Sequence, residues 1–151
     1  MKRLPDLLAA WSVVLWVGGL WAVGYLAAPV LFYNLSDARL AGYVAGRMFV
    51  WMAWVGMACG VWLLLHRLAR SGAGALKQAF FWLVLAMLLL TVAQHFGIRP
   101  VLEGLEDQAL PKDVMESLFR DHFQTWHGIS SIVYLLQSLL GLALVARQGG
   151  R

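Results

Sequence analysis

The chain has 151 residues, of which 61% are hydrophobic and 13% are charged, and its formal net charge is +4. A soluble domain of this length could not bury so much apolar surface. The composition therefore indicates one integral membrane domain over residues 1–151, with the lipid bilayer as its solvent. Because the lysines and arginines collect at the ends of apolar segments, the positive charge indicates membrane orientation, and we expect no nucleic-acid partner.

Four segments are apolar over the roughly 20 residues that a helix needs to cross a bilayer. They lie at about residues 7–32, 41–65, 78–97 and 126–146. No segment alternates like a transmembrane strand, and only helices or closed barrels satisfy their backbone hydrogen bonds in lipid. The sequence therefore predicts an all-α fold, a four-helix transmembrane bundle.

Charge is distributed unevenly between the two sides of this bundle. Basic residues lie at both termini and after span two: Lys2, Arg3, Arg67, Arg70, Lys77, Arg147 and Arg151. Acidic residues fill the loop between spans three and four: Glu103, Glu106, Asp107, Asp113, Glu116 and Asp121. Cytoplasmic loops carry the excess of lysine and arginine, so we expect both termini in the cytoplasm of a bacterium, with the protein in its inner membrane.

The acidic loop also has a helical pattern. From Pro111 to Phe123, apolar residues recur at helical spacing and give the segment one apolar face. Pro111 suits the first position of a helix. We expect a short amphipathic surface helix between spans three and four, lying on the outer membrane surface. A helix that binds a partner protein is the alternative.

Small residues recur along one side of spans one and two, a pattern that lets transmembrane helices approach closely. They include Gly18 in span one and Gly46 and Gly56 in span two. We expect Gly46 and Gly56 each to face another helix at close range. Dimerisation through one of these rows is the alternative.

Polar side chains approach one end of all four predicted helices, the end that the charge pattern turns outward. The candidates for ligand binding are Asn34, Arg47, His95, Arg99 and His127. Ionisable groups inside apolar spans are costly, so they indicate function by default. The structural alternative is that the arginines extend to the lipid headgroups while the histidines form interhelical hydrogen bonds.

Three functions are compatible with this pattern. In the first, the protein binds a small ligand or ion at the outward-facing polar site, and the arginines favour an anionic group. In the second, His95 and His127 are axial ligands of haem b, or copper ligands, in a membrane redox protein. In the third, the protein is a ligand-free interaction subunit whose polar layer fixes helix register.

A homo-oligomer or another membrane protein is the protein partner compatible with this pattern, and transport would need an oligomer because four helices are few for a transporter acting alone. The sequence contains no nucleotide-binding loop, no serine or cysteine nucleophile motif and no helical metalloprotease motif. We therefore predict no catalytic residue and no enzymatic activity.

Five short sequence segments, each found once, follow one another in a characteristic order along the chain. They are WVGGLW at 16–21, APVLF at 28–32, AGRMF at 45–49, HFGIRP at 95–100 and FQTWHGIS at 123–130. With this order and spacing, nearly the whole chain resembles the transmembrane-protein-205-like family. The resemblance implies a multi-span helical membrane protein of unestablished function and, for the eukaryotic relatives, a link to drug and metal tolerance. It implies no catalytic residue.

Overall fold

The computed structural model describes residues 3–108 and 116–149, and that part of the chain is almost entirely helical. Four of its helical stretches are long and apolar enough to cross a membrane. This confirms the all-α fold and the four predicted spans. The four stretches are Leu4–Asn34, Leu40–Lys77, Ala79–Gly104 and Gln124–Arg147.

Spans one and three are each interrupted by a short π-helix, whereas spans two and four lie in long uninterrupted α-helices. Span one comprises α1 (Arg3–Trp21), the first π-helix (Ala22–Ala27) and α2 (Ala28–Asn34). Span two is α3 (Ala38–Ser71), followed by a 3₁₀ helix (Gly72–Lys77). Span three comprises α4 (Ala79–Ala93), the second π-helix (Gln94–Ile98) and α5 (Arg99–Gln108). Span four lies in α6 (Glu116–Gly149).

Each π-helix ends two residues before a proline, Pro29 in span one and Pro100 in span three. A proline within a helix donates no backbone hydrogen bond, and its ring crowds the carbonyl group four residues earlier. A π-helical turn accommodates this by bonding residues five apart, as the Arg99 amide does with the Gln94 carbonyl. The second of these altered turns contains His95.

The four spans pack in a ring, because each contacts the next in sequence and the fourth contacts the first. The largest fully buried side chains include one from each span, namely Trp16, Leu63, Met87 and Leu144. Large apolar side chains on the outside remain exposed, for example Trp51 at 68%. Such a surface is unfavourable in water and suits lipid.

Close helix packing occurs at only one of the two glycines predicted for it. A Cβ added at Gly56 would lie 2.9 Å from Cδ1 of Trp16, so spans one and two pack tightly there, as predicted. The prediction is wrong for Gly46, where an added Cβ would meet no atom within 4 Å. Gly18 is open in the same way, whereas its neighbour Gly19 closely contacts span two.

The predicted surface helix differs from what is observed. Residues 116–123 are the first turns of α6, which runs without interruption into span four. In the described part of the chain they therefore extend the span four helix instead of forming a separate element. The helix start expected at Pro111 lies outside the described residues.

Candidate functional site

Arg99 connects two spans at the end of the bundle where the candidate residues lie. Its Nε donates a hydrogen bond to Oε1 of Glu103 at 2.6 Å, one turn later in α5. Its Nη1 donates to the Gly46 carbonyl oxygen at 3.1 Å. The Arg99 side chain is 26% exposed. It therefore links span three to the backbone of span two while remaining partly open to solvent.

Arg47 follows Gly46 directly in α3, and its side chain is exposed. Arg99 thus bonds to the backbone next to Arg47, and both arginines lie at the same end of the bundle. Glu103 contributes the carboxylate that pairs with Arg99. The side chains of Arg47 and Arg99 are positively charged, and that of Glu103 is negatively charged. These three side chains together have a net charge of +1, which favours an anion.

His95 lies at the edge of the contact between spans two and three. Its half-buried ring meets the ring of Trp54 edge-on, with centroids 5.5 Å apart, and the ring of Phe96 with centroids 4.7 Å apart. Trp54 is 52% exposed and Phe96 is 58% exposed. The imidazole therefore packs among partly exposed aromatic side chains at the surface of the bundle.

Asn34 and His127 lie at the surface of the bundle. The Asn34 side chain is exposed, and its Nδ2 donates to the Val30 carbonyl oxygen at 2.8 Å within the same helix. The His127 side chain is also exposed, and its backbone carbonyl accepts a 2.9 Å hydrogen bond from the Ser131 hydroxyl. Both contacts are local, and neither connects one span to another.

A hydrogen bond connects the helix that contains His95 to the helix that contains His127, close to both histidines. Nε2 of Gln94 donates to Oγ of Ser130 at 3.0 Å. Gln94 precedes His95, and Ser130 lies three residues after His127, so this bond connects spans three and four near both histidines. In the described residues the ring contacts of His95 are with Trp54 and Phe96. A single site shared by all five candidates stays a prediction.

A buried polar pair lies between spans three and four, and the sequence pattern did not predict it. Nε2 of Gln137 donates to Oγ1 of Thr91 at 2.6 Å, and the Thr91 hydroxyl donates to the Met87 carbonyl oxygen at 2.8 Å. Gln137 is 3% exposed and Thr91 is 5% exposed. The sequence contained a signal for this pair, because Gln94 and Gln137 are polar amides within apolar segments. A polar amide in such a segment indicates a hydrogen bond to another span.

Spans one and four are joined by polar contacts at the first π-helix. The Tyr134 hydroxyl donates to the Leu20 carbonyl oxygen. The Tyr25 hydroxyl donates to Oγ of Ser138 at 2.9 Å. The two tyrosine rings meet edge-on with centroids 6.1 Å apart. Each π-helix thus contributes a polar side chain that bonds to a serine of span four: Tyr25 bonds to Ser138, and Gln94 bonds to Ser130.

The polar groups inside the bundle are satisfied by one another. Among the side chains that the structure describes, which leave out residues 3, 38–39, 105–108, 116–123 and 148–149, no buried nitrogen or oxygen lacks a hydrogen-bond partner. In the same part of the chain, no three histidine, cysteine or carboxylate side chains are grouped to hold a metal. Binding of a haem or copper ion by the two histidines alone, His95 and His127, stays a prediction.

The comparisons with known proteins place the chain in a family. Residues 11–111 match the model of DUF4149, a domain of unknown function. The chain belongs to this family. No curated protein and no solved structure matches it. DUF4149 membership supports an uncharacterised family of membrane type, while the narrower resemblance to the transmembrane-protein-205-like family stays a prediction.

The DUF4149 match includes four of the five candidate residues, because it ends before His127. The contact between Arg99 and Gly46 lies entirely within the matched region. The contact between Gln94 and Ser130 extends beyond it.

Proposed function

We propose that this DUF4149 protein binds a small anionic ligand or ion at the end of the bundle predicted to face outward. The residues that line the proposed site are Asn34, Arg47, His95, Arg99 and His127. The observation that supports it best is the hydrogen bond from Arg99 to the Gly46 carbonyl, which holds the Arg99 guanidinium against the backbone beside Arg47.

An anion suits the pair of Arg47 and Arg99 for two reasons. Arg47 and Arg99 outnumber the one carboxylate that pairs with Arg99, and guanidinium groups match carboxylate and phosphate geometry through paired N–H bonds. His95 and His127 add imidazole groups from spans three and four.

The proposed orientation gives the site access to the outside of the cell. With both termini in the cytoplasm of a bacterium, the loop that follows Glu103 faces outward. Four helices are few for a transporter acting alone. Transport would therefore need a homo-oligomer or another membrane protein, whereas binding would not.

Histidine side-chain NMR can test the site even while the natural ligand is unidentified. The chain has four histidines, His66, His95, His122 and His127, so selective isotope labelling gives four imidazole signals. Sulfate replaces chloride at constant ionic strength as the probe anion. We expect the His95 and His127 signals to shift saturably, because both imidazoles line the proposed site.

Two matched variants locate the binding. Arg47→Gln removes an exposed charge at the site, and we expect it to weaken the response at least about fivefold. Lys77→Gln removes an exposed charge at the opposite end of span two and should leave the response nearly unchanged. Shifts confined to His66, or equal effects of the two variants, would refute the proposal.

The two alternatives predict different observations. A haem- or copper-binding redox protein would show a Soret band or bound copper after purification in detergent. A ligand-free interaction subunit would show no anion response and would co-purify with a membrane partner.

A further inference from the structure

A cavity opens at the end of the bundle opposite the candidate residues. We call this the basic end; it consists of the start of α1, the end of α3, the 3₁₀ helix, the start of α4 and the end of α6. The cavity has a volume of about 560 Å³ and is lined by three arginines, Arg67, Arg70 and Arg147, together with Gln78. A second cavity of about 90 Å³ shares the arginines and extends to Asp6. All four spans thus contribute to the pair of cavities.

Contacts on two sides hold the Arg67 guanidinium at the cavity wall. Its Cζ lies 4.2 Å from the centroid of the buried Phe80 ring. Its Nη1 donates to Oε1 of Gln78 at 3.3 Å, and Nε2 of Gln78 donates to the Ser71 hydroxyl at 3.2 Å. Because these contacts already order the guanidinium, little further conformational entropy is lost when it binds a ligand.

The lining side chains have an excess of positive charge. Among the described residues that line the two cavities, Asp6 is the one carboxylate. It pairs with Arg70, and its Oδ1 lies 3.2 Å from Nε2 of His66. Three arginines and one aspartate give the lining a net charge of +2 without counting His66. An anion is therefore the ligand that these cavities favour.

We propose that the cavity at the basic end binds a phosphate group, from an anionic phospholipid headgroup or from free phosphate. Arginine presents several N–H donors in a planar fork that fits phosphate oxygens, and Ser71 adds a hydroxyl group to the wall. The cavity lies where all four apolar spans end, which is the depth of the headgroups in a bilayer. Basic pockets between transmembrane helices bind anionic headgroups in this way.

Native mass spectrometry in neutral detergent tests the lipid source. We expect phosphatidylglycerol to remain bound and phosphatidylcholine to dissociate. Arg147→Gln removes an exposed cavity charge at the end of α6 and should weaken phosphatidylglycerol binding at least about tenfold. Lys77→Gln is the matched control, because Lys77 lies at the same end outside the lining of either cavity and should change binding less than about threefold.

Titration with inorganic phosphate tests whether free phosphate binds. The His66 imidazole NMR signal reports binding, because His66 lines the smaller cavity. Saturable shifts that Arg147→Gln weakens would show that free phosphate occupies the site. Circular dichroism verifies the fold of each variant. Three results would overturn the proposal: neither phosphatidylglycerol nor phosphate binds, phosphatidylcholine binds equally well, or Lys77→Gln weakens binding as much as Arg147→Gln.

Discussion

The Tyr134 ring of span four lies directly against Gly24 in the first π-helix of span one. A Cβ added at Gly24 would lie 2.7 Å from both Cζ and Oη of this ring. The Tyr134 hydroxyl also donates to the Leu20 carbonyl oxygen one turn earlier. The absence of a side chain at Gly24 thus allows a tyrosine to pack against the backbone of the neighbouring span and bond to it.

We expect Gly24→Ala to lower the free energy of unfolding by ~1–3 kcal/mol, because the added methyl group forces the Tyr134 ring to move. Thermal unfolding in detergent, followed by circular dichroism, measures the change. Gly18→Ala is the control in the same span, since its added Cβ would meet no atom within 4 Å. Equal melting temperatures for the two variants would contradict this contact.

A second packing prediction concerns span two. Gly56→Ala should also destabilise the bundle by ~1–3 kcal/mol, because its Cβ would lie 2.9 Å from Cδ1 of the buried Trp16 ring. Gly46→Ala adds the same methyl group on the same helix where there is open space. A helical alanine is favoured over glycine by roughly 0.5–1 kcal/mol, so the control should be neutral or stabilising. Reversal of the order of the two melting temperatures would contradict the close contact between Gly56 and Trp16.

The fold follows from sequence because lipid limits the choices so strongly. Length and hydropathy alone predicted the four spans, since a chain in a bilayer must satisfy its backbone within each helix. Contacts between helices were harder to predict. Gly46 and Gly56 belong to the same row of small residues, yet only Gly56 meets another side chain closely. Spacing defines a helix face, but packing decides which part of that face is covered.

The direction of the candidate side chains was harder still to predict. His95 lies in a π-helix, where the turn is wider than the 3.6-residue period on which face assignments depend. Its ring therefore packs beside Trp54, a contact that α-helical spacing did not indicate. Pro29 and Pro100 were visible in the sequence, and each lies two residues after a π-helix. Their shared position is the signal that could have predicted the altered turns.

The orientation of the bundle can be measured directly. Reporter fusions after Gly150 should give a cytoplasmic signal, and fusions at Gln108 an external one, because the basic residues collect near the termini and the acidic residues in the loop after span three. Alkaline phosphatase and a fluorescent protein are complementary reporters for the two sides. An external signal after Gly150 would reverse the orientation and move the proposed anion site to the cytoplasm.

The buried pair of Gln137 and Thr91 should contribute measurably to stability. Thr91→Val removes the hydroxyl group that accepts the 2.6 Å hydrogen bond from Gln137, and leaves a buried amide without that partner. Interhelical hydrogen bonds in membrane proteins contribute about 0.6 kcal/mol on average and at most about 1.7 kcal/mol. Because both side chains are at most 5% exposed, we expect a coupling energy in the upper half of that range.

A double-mutant cycle with Thr91→Val and Gln137→Leu measures this coupling through unfolding in mixed micelles. Ser131→Ala is the matched control in α6, because the exposed Ser131 hydroxyl bonds to the carbonyl oxygen of His127 within its own helix. It should change the free energy of unfolding by less than about 0.5 kcal/mol. Additive effects of Thr91→Val and Gln137→Leu would mean that the pair does not hold spans three and four together. The interhelical contact between Gln94 and Ser130 would then be the polar bond to test next.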